Sequence, residues 1–225
     1  IINNTSTDIP EDILTWPAHG NVEDGYAANL APFIDTDGDG FYNPEKGDYP
    51  DILGDMALFC IFNDNYDAHT ESGGKALGVE IHCMLYGFDA PEDEKLNNTL
   101  FMRYWIYNRS SKNYNNVYIG LWNDLDIGYG KDDYIGCNVE KGYFYCYNST
   151  DIDGNGEQGS YGDNPPAQLV MCLSGANADA DGIDNPKYDE NGFQIVDESI
   201  NGFGYGDGIV DNERLGMSSF VYNNN

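Results

Sequence analysis

Three stretches of the chain set carboxylate or amide side chains at alternate positions and follow them with glycine. They are Asp35-Thr36-Asp37-Gly38-Asp39-Gly40, Asp151-Ile152-Asp153-Gly154-Asn155-Gly156 and Asn177-Ala178-Asp179-Ala180-Asp181-Gly182. The pattern suits a hard dication. Calcium takes about six to eight oxygens around one point; short Asp and Asn side chains supply them, and the glycine lets the backbone wrap tightly. In the first loop Asp35, Asp37 and Asp39 take the first, third and fifth ligand positions. The carbonyl of Phe41 falls at the seventh and the amide of Asn43 at the ninth. Position twelve, where a helix–loop–helix calcium protein places a bidentate Glu, is Lys46, so this is not a standard EF-hand. Glu45 or Asp48 is expected to close the shell instead. Near the end, Asp207-Gly208-Ile209-Val210-Asp211-Asn212-Glu213 repeats the spacing from Asp39 to Glu45, but Phe203 and Tyr205 stand where acids should. It reads as half a site that needs outside ligands. The expected cofactor at all four places is Ca2+; magnesium prefers few protein ligands and keeps its waters.

Acid–base chemistry has fewer footholds. The histidines are His19, His69 and His82, and no His-Glu-x-x-His, Gly-x-Ser-x-Gly or phosphate-cradling glycine loop occurs. His69, near Asp64 and Asp67, and His82, on one strand face with Glu80, read as structural. Asp124 and Asp126 beside Trp122 form the best carboxylate pair. A glycosidase needs two acids about 5–10 Å apart, and residues two apart on a strand lie about 6.6 Å apart on one face. The plainer reading ends a strand there and joins the pair to a turn or ion site with Asp132 and Asp133. Tyr114, Tyr118, Tyr129, Tyr143, Tyr145 and Tyr147 offer a sugar-stacking platform. Tyr143, Tyr145 and Tyr147 would line one strand face, which serves equally as the outside of a sandwich packed on a neighbouring copy. No catalytic residue is assigned.

The 225 residues carry 39 acidic against 10 basic side chains, a formal net charge of −29. Such a field repels phosphate backbones and anionic lipid, so neither nucleic acid nor membrane insertion is expected; the partners expected are protein subunits, cell-surface components or glycans. Bound cations would relieve the self-repulsion. Eighteen Tyr, ten Phe and three Trp mark a chain that packs rather than stays disordered. Cys60, Cys83, Cys137, Cys146 and Cys172 lie in or beside apolar runs and read as small buried thiols. The chain opens on Ile1 and stops at Asn225, which reads as a processed product or an ordered fragment of something longer.

The elements that must position these residues are strands. Two-residue alternation or β-branched and aromatic content predicts them at Met56–Asn63, Leu77–Phe88, Thr99–Asn108, Asn116–Ile127, Tyr143–Asn148, Ala167–Leu173 and Met217–Tyr222. One short helix is expected over 10–14, with Asp8 as cap and Pro10 in the first turn. The expected class is all-β: an antiparallel, jelly-roll-like β-sandwich with long calcium-binding loops and little helix. Residues 1–55 form a loop-rich segment with the first calcium loop, 56–173 the sandwich core, and 174–225 Gly/Asp/Asn-rich loops returning to a final strand. The strand over 99–108 is heavy on both faces and reads as central, with Arg103 as a partner for Glu80 if its neighbour carries that residue.

Several motifs act together: Trp16-Pro17-Ala18-His19-Gly20, Leu30-Ala31-Pro32-Phe33, the run from Ile34 to Asp55, and Asn97-Asn98-Thr99 leading into Tyr107-Asn108-Arg109-Ser110. So do Gly120-Leu121-Trp122-Asn123-Asp124-Leu125-Asp126-Ile127-Gly128, Asp132-Asp133-Tyr134-Ile135-Gly136 and the stretch from Gly206 to Arg214. In combination these resemble large secreted surface proteins of Bacteroidota exported by the type IX secretion system. The resemblance spans nearly the whole chain and implies an extracellular, modular protein. Members usually end in a C-terminal sorting domain, which is not seen here, so the chain is expected to be an internal portion. The expected function is a calcium-stabilised extracellular region for structure, adhesion or surface assembly. The alternative is a carbohydrate-binding module or a glycoside hydrolase using Asp124 and Asp126. The histidine spacing disfavours a metallopeptidase.

Overall fold

Strands form where apolar residues run in twos and find an edge to pair with. The computed structural model describes residues 8–195 and 201–223. The chain divides into two units, Ile1–Val117 and Tyr118–Asn225. The division falls inside the 56–173 stretch read above as one core.

The first unit contains α1 (Glu11–Leu14), β1 (Phe33–Ile34), β2 (Tyr49–Pro50), β3 (Met56–Asn63), β4 (Val79–Gly87), α2 (Glu94–Asn97) and β5 (Phe101–Asn108). Helix α1 is a single turn capped by Pro10, which forms no side-chain cap bond, so Asp8 is not its cap. Strands β3–β4–β5 form an antiparallel sheet with β4 in the middle. This corrects the expectation that β5 is central. Glu80, His82, Cys83 and Met84 of β4 are buried, whereas Met102, Tyr104, Ile106 and Tyr107 of β5 are exposed. The weight on both faces of β5 reflects local packing, as where Arg103 lies 4.9 Å above the Trp105 ring. The register sets Arg103 opposite Met84 and Tyr107 opposite Glu80, so Arg103 does not reach Glu80. Arg109, one residue past β5, does: its Nη2 donates to Glu80 Oε1 at 2.7 Å. One face of the sheet packs Phe59 and His82 under Trp16, whose ring lies 5.6 Å from that of Phe59. The other carries the rows Leu58–Leu85–Met102, Cys60–Cys83–Tyr104 and Phe62–Ile81–Ile106.

The second unit contains β6 (Asp133–Asn138), β7 (Tyr143–Asn148), β8 (Ile152–Asp153), β9 (Gly162–Asp163) and β10 (Ala167–Met171). Its sheet runs β10–β7–β6, all antiparallel, and β8 and β9 form a ribbon. Residues 116–127 and 217–222 form no strand. Their β-favouring side chains do not bring their backbone into a ladder with any strand. Part of the first run instead crosses the inner face of β7: Cys146 Sγ donates to the Leu125 carbonyl at 3.5 Å, and Ile127 is 4% exposed. Phe144, Cys146 and Asn148 alternate onto that inner face, and Tyr143, Tyr145 and Tyr147 onto the other.

The chain is all-β, its helices being single turns. Among the described residues each unit shows one three-stranded sheet and one short ribbon, fewer than the about eight strands of a jelly roll. The five thiols are free. Cys83 and Cys146 are buried as expected, but Cys60, Cys137 and Cys172 are exposed.

Candidate metal sites

The first loop closes on itself through its own acids. Asp35 Oδ1 accepts from Gly38 N at 2.7 Å and Oδ2 from Gly40 N at 2.8 Å. Asp37 Oδ1 accepts from Asp39 N, and Asp39 Oδ1 from Phe41 N. These are Asx turns, which short acids form readily; Gly40 supplies the left-handed backbone, φ 80°, that the second turn requires. The result brings one oxygen each from Asp35, Asp37 and Asp39 within 4.8 Å of one another. Lys46, the residue at position twelve, puts its Nζ 3.1 Å from Asp37 Oδ2 and 2.7 Å from Asp39 Oδ2. The hydrogen bond from Lys46 and then that from Phe41 N hold the Asp39 carboxyl below its usual range. The bonds to Asp39 and Asp37 raise Lys46 well above its own.

The other expected ligands of this loop have different work. Asp48 is 3% exposed and accepts from Thr36 N, Thr36 Oγ1 and Asn43 N, so it braces the loop from behind. The backbone bonds from Thr36 and Asn43 hold its carboxyl below the usual range. Asn43 Oδ1 accepts from Glu45 N and caps the 3-10 turn Pro44–Lys46. Glu45 lines a shallow hollow with Asp8, Ile9 and Leu14. The Phe41 ring is exposed beside His19. His19 Nε2 accepts from Tyr42 N at 3.0 Å, which leaves Nδ1 as the donor to the Ala28 carbonyl.

The third and fourth stretches, read as separate sites, contribute acids to one cluster. Backbone pairing joins them: Asn177 bridges Arg214, Ala178 N donates to the Glu213 carbonyl, and Leu215 N to the Ala176 carbonyl. The pairing brings oxygens of Asp179, Asp181 and Asp211 within 4.8 Å of one another. Asp211 also accepts from Gly182 N at 2.8 Å; it holds a left-handed backbone, φ 56°, unusual for a residue other than glycine. Glu213 lies behind them, 1% exposed. Its Oε1 accepts from Asn185 N, and its Oε2 is buried with no partner. Burial and the charges of Asp181, Glu213 and Asp211 push the Asp179 carboxyl above its usual range. Among the described residues no ammonium or guanidinium forms an ion pair with these acids, unlike the first loop.

Asp207 stands apart: its Oδ1 accepts from Ile209 N and its Oδ2 from Asn212 Nδ2. Asp184 binds Gly206 N at 2.7 Å and Gly208 N at 2.6 Å, the role Asp35 has for Gly38 and Gly40. It makes good the acid missing at Phe203, although the sequence reading passed it over; the signal was its place at the end of the Asp179–Asp181 run. Asn177 contributes its backbone bridge. In the second loop Asp153 turns inward, 0% exposed, and gives Oδ1 to Tyr129 N and Oδ2 to Tyr161 N. Both its oxygens thus bond amides outside that loop. Asp151 and Asn155 are exposed.

Asp124 and Asp126 sit outside any strand, so the facing geometry considered for a glycosidase has no element to impose it. His82 Nε2 meets Glu80 Oε1 at 2.9 Å in the core. Burial raises the Glu80 carboxyl, but the bonds from Arg109 and His82 outweigh it and hold the group below its usual range. His69 Nε2 bonds the Asp64 carbonyl at 2.8 Å. Among the described residues the carboxylate clusters are thus the arrangements fit for chemistry, and they fit a hard cation. No helix of the described residues is long and apolar enough to cross a membrane. No protein-family model matches the chain, and neither a curated protein nor a solved structure matches it.

Proposed function

We propose that this chain is a calcium-stabilised structural, adhesive or assembly region of a larger extracellular or cell-surface protein. One observation carries the reading. Two segments distant in sequence meet to set Asp179, Asp181 and Asp211 together in front of Glu213, whose Oε2 is buried and unpartnered. A buried carboxylate oxygen without a donor is costly unless a cation meets it. Calcium suits an all-oxygen set of this kind, and its binding would order loops with few apolar residues of their own. Location and modularity follow from the resemblance to surface proteins exported by the type IX system; protein subunits or surface components are the partners this implies. Melting the full chain in calcium and in EDTA tests the reading: calcium raises Tm and calorimetric titration shows saturable binding. Identical melting in both media refutes it.

A carbohydrate-binding module is the second reading, favoured by the tyrosine stripe on β6 and β7. Tyr143, Tyr145 and Tyr147 follow one another at 6.2 and 5.7 Å between ring centroids, and Tyr134 adjoins Tyr147 at 6.0 Å. Tyr145 lies across Gly136, where a Cβ would sit 2.3 Å from its ring. Glycan binding lost in Tyr134→Ala and Tyr147→Ala supports this reading; no binding to a broad glycan panel removes it.

A further inference from the structure

Three side-chain oxygens near the β6–β7 end of the second unit, Asp132 Oδ1, Asp133 Oδ1 and Asn148 Oδ1, are buried with no hydrogen-bond partner. Asp133 opens β6 and stands directly opposite Asn148 at the end of β7, so the two side chains project from the same face about 5 Å apart at Cβ. Asn148 is 9% exposed, and its Nδ2 donates to the Thr150 carbonyl at 2.9 Å and the Ile152 carbonyl at 2.8 Å. Those two bonds fix which way the amide faces. Its Oδ1 is therefore turned away from both carbonyls, buried and without a partner. Asp133 Oδ2 accepts from Ile127 N at 2.7 Å, and Asp132 Oδ2 from Gly154 N at 2.9 Å. In each the second oxygen, Oδ1, is likewise buried and unpartnered. Three residues thus each commit one end to anchoring a loop and leave one oxygen with nothing to bind.

The surroundings add further negative charge, and the donor beside Asp133 is the weak Cys146 thiol, which also meets the Leu125 carbonyl. Asp153, fully buried, pins Tyr129 and Tyr161 with its two oxygens. Asp126 presses on Gly130, where a Cβ would lie 2.2 Å from its Oδ1. Burial first, then the charges of Asp132, Asp153 and Asp126, push the Asp133 carboxyl above its usual range. Among the described residues no Lys, Arg or His forms an ion pair with any of these acids.

We propose that Asp132, Asp133 and Asn148 form a further divalent-cation site of the second unit, taking calcium through their three unpartnered Oδ1 atoms. It rests on the calcium-stabilised reading for the identity of its ion, but on none of that reading's ligands. The ion would fasten the 125–133 loop to the loop after β7, both of which these side chains already hold by their other ends.

The test uses the full chain with the two carboxylate clusters disabled by Asp37→Asn, Asp39→Asn, Asp181→Asn and Asp211→Asn. Calcium still raises Tm in this background, by about 5 °C or more at saturating ion, and native mass spectrometry shows one bound calcium. Adding Asp133→Asn removes both the increment and the ion, while Tm in EDTA holds or rises because a repelling charge is gone. Asn148→Ser in the same background also abolishes the ion. Absence of any bound calcium in the four-substitution background overturns the proposal and leaves the cluster reading intact if the native chain still responds. A fall in Tm of equal size in calcium and in EDTA on Asp133→Asn overturns it too, since that marks a residue whose role is only its bond to Ile127.

Discussion

Glu213→Gln separates an ion ligand from an ordinary buried acceptor. The substitution keeps shape and leaves a carbonyl oxygen to accept from Asn185 N, but removes the charge of a side chain 1% exposed behind Asp179, Asp181 and Asp211. Without metal, that charge is only a liability, so the variant in EDTA melts at or above the native temperature. With calcium at about a hundred times its dissociation constant, binding contributes about 2.7 kcal/mol. At about 4 °C per kcal/mol for a domain of this size, the native increment is about 10 °C. Losing the buried anionic oxygen weakens the ion's hold about tenfold or more, which removes about half of that increment. Differential scanning calorimetry of both proteins in EDTA and in graded calcium reads both quantities. The reasoning is refuted if the increment is unchanged, or if the variant loses as much Tm in EDTA as in calcium.

Lys46→Gln removes the ammonium from Asp37 and Asp39. In a chain whose second cluster is disabled by Asp181→Asn and Asp211→Asn, titration calorimetry should show calcium affinity about three- to tenfold higher. Arg109→Ala strips Glu80 of its strongest partner and costs about 1–2 kcal/mol in urea unfolding at neutral pH, part of that bond being open to solvent. Because the folded Glu80 carboxyl lies below its ordinary 4.5, its stabilisation is complete above that value and is lost as pH falls through the folded one. Arg109→Ala should therefore flatten the acid limb of a stability–pH curve. Gly128→Ala places a Cβ 2.0 Å from Asp153 Oδ2 at a backbone φ of 69° and costs about 2–4 kcal/mol by the same assay.

Strand identity was legible wherever alternation coincided with a real partner. Met56–Asn63 and Tyr143–Asn148 form with the expected bounds, and the strands over 77–88 and 99–108 differ only by frayed ends. Strand β6 was missed because Asp133, Gly136 and Asn138 dilute its alternation; Tyr145 covers Gly136 from the neighbouring strand. Runs 116–127 and 217–222 have the right composition but pair with no strand, an outcome set by tertiary context rather than by their own residues. For the sites, Asp35, Asp37 and Asp39 were legible because their convergence is local, written in one turn of backbone. The meeting of Asp179 and Asp181 with Asp211 depends on the pairing of residues 176–178 with 213–215, a long-range contact that spacing alone does not encode. The burial of Glu213 and the stand-in role of Asp184 follow from that same contact.

The ammonium lodged in the first acidic loop makes the two halves of the chain unequal. One half carries a counterion for its acidic loop covalently, as the Lys46 side chain. Under the proposed calcium reading, the other takes its counterion from outside. The proposed calcium reading thus divides one chain into a part less sensitive to divalent-ion supply and a part that depends on it.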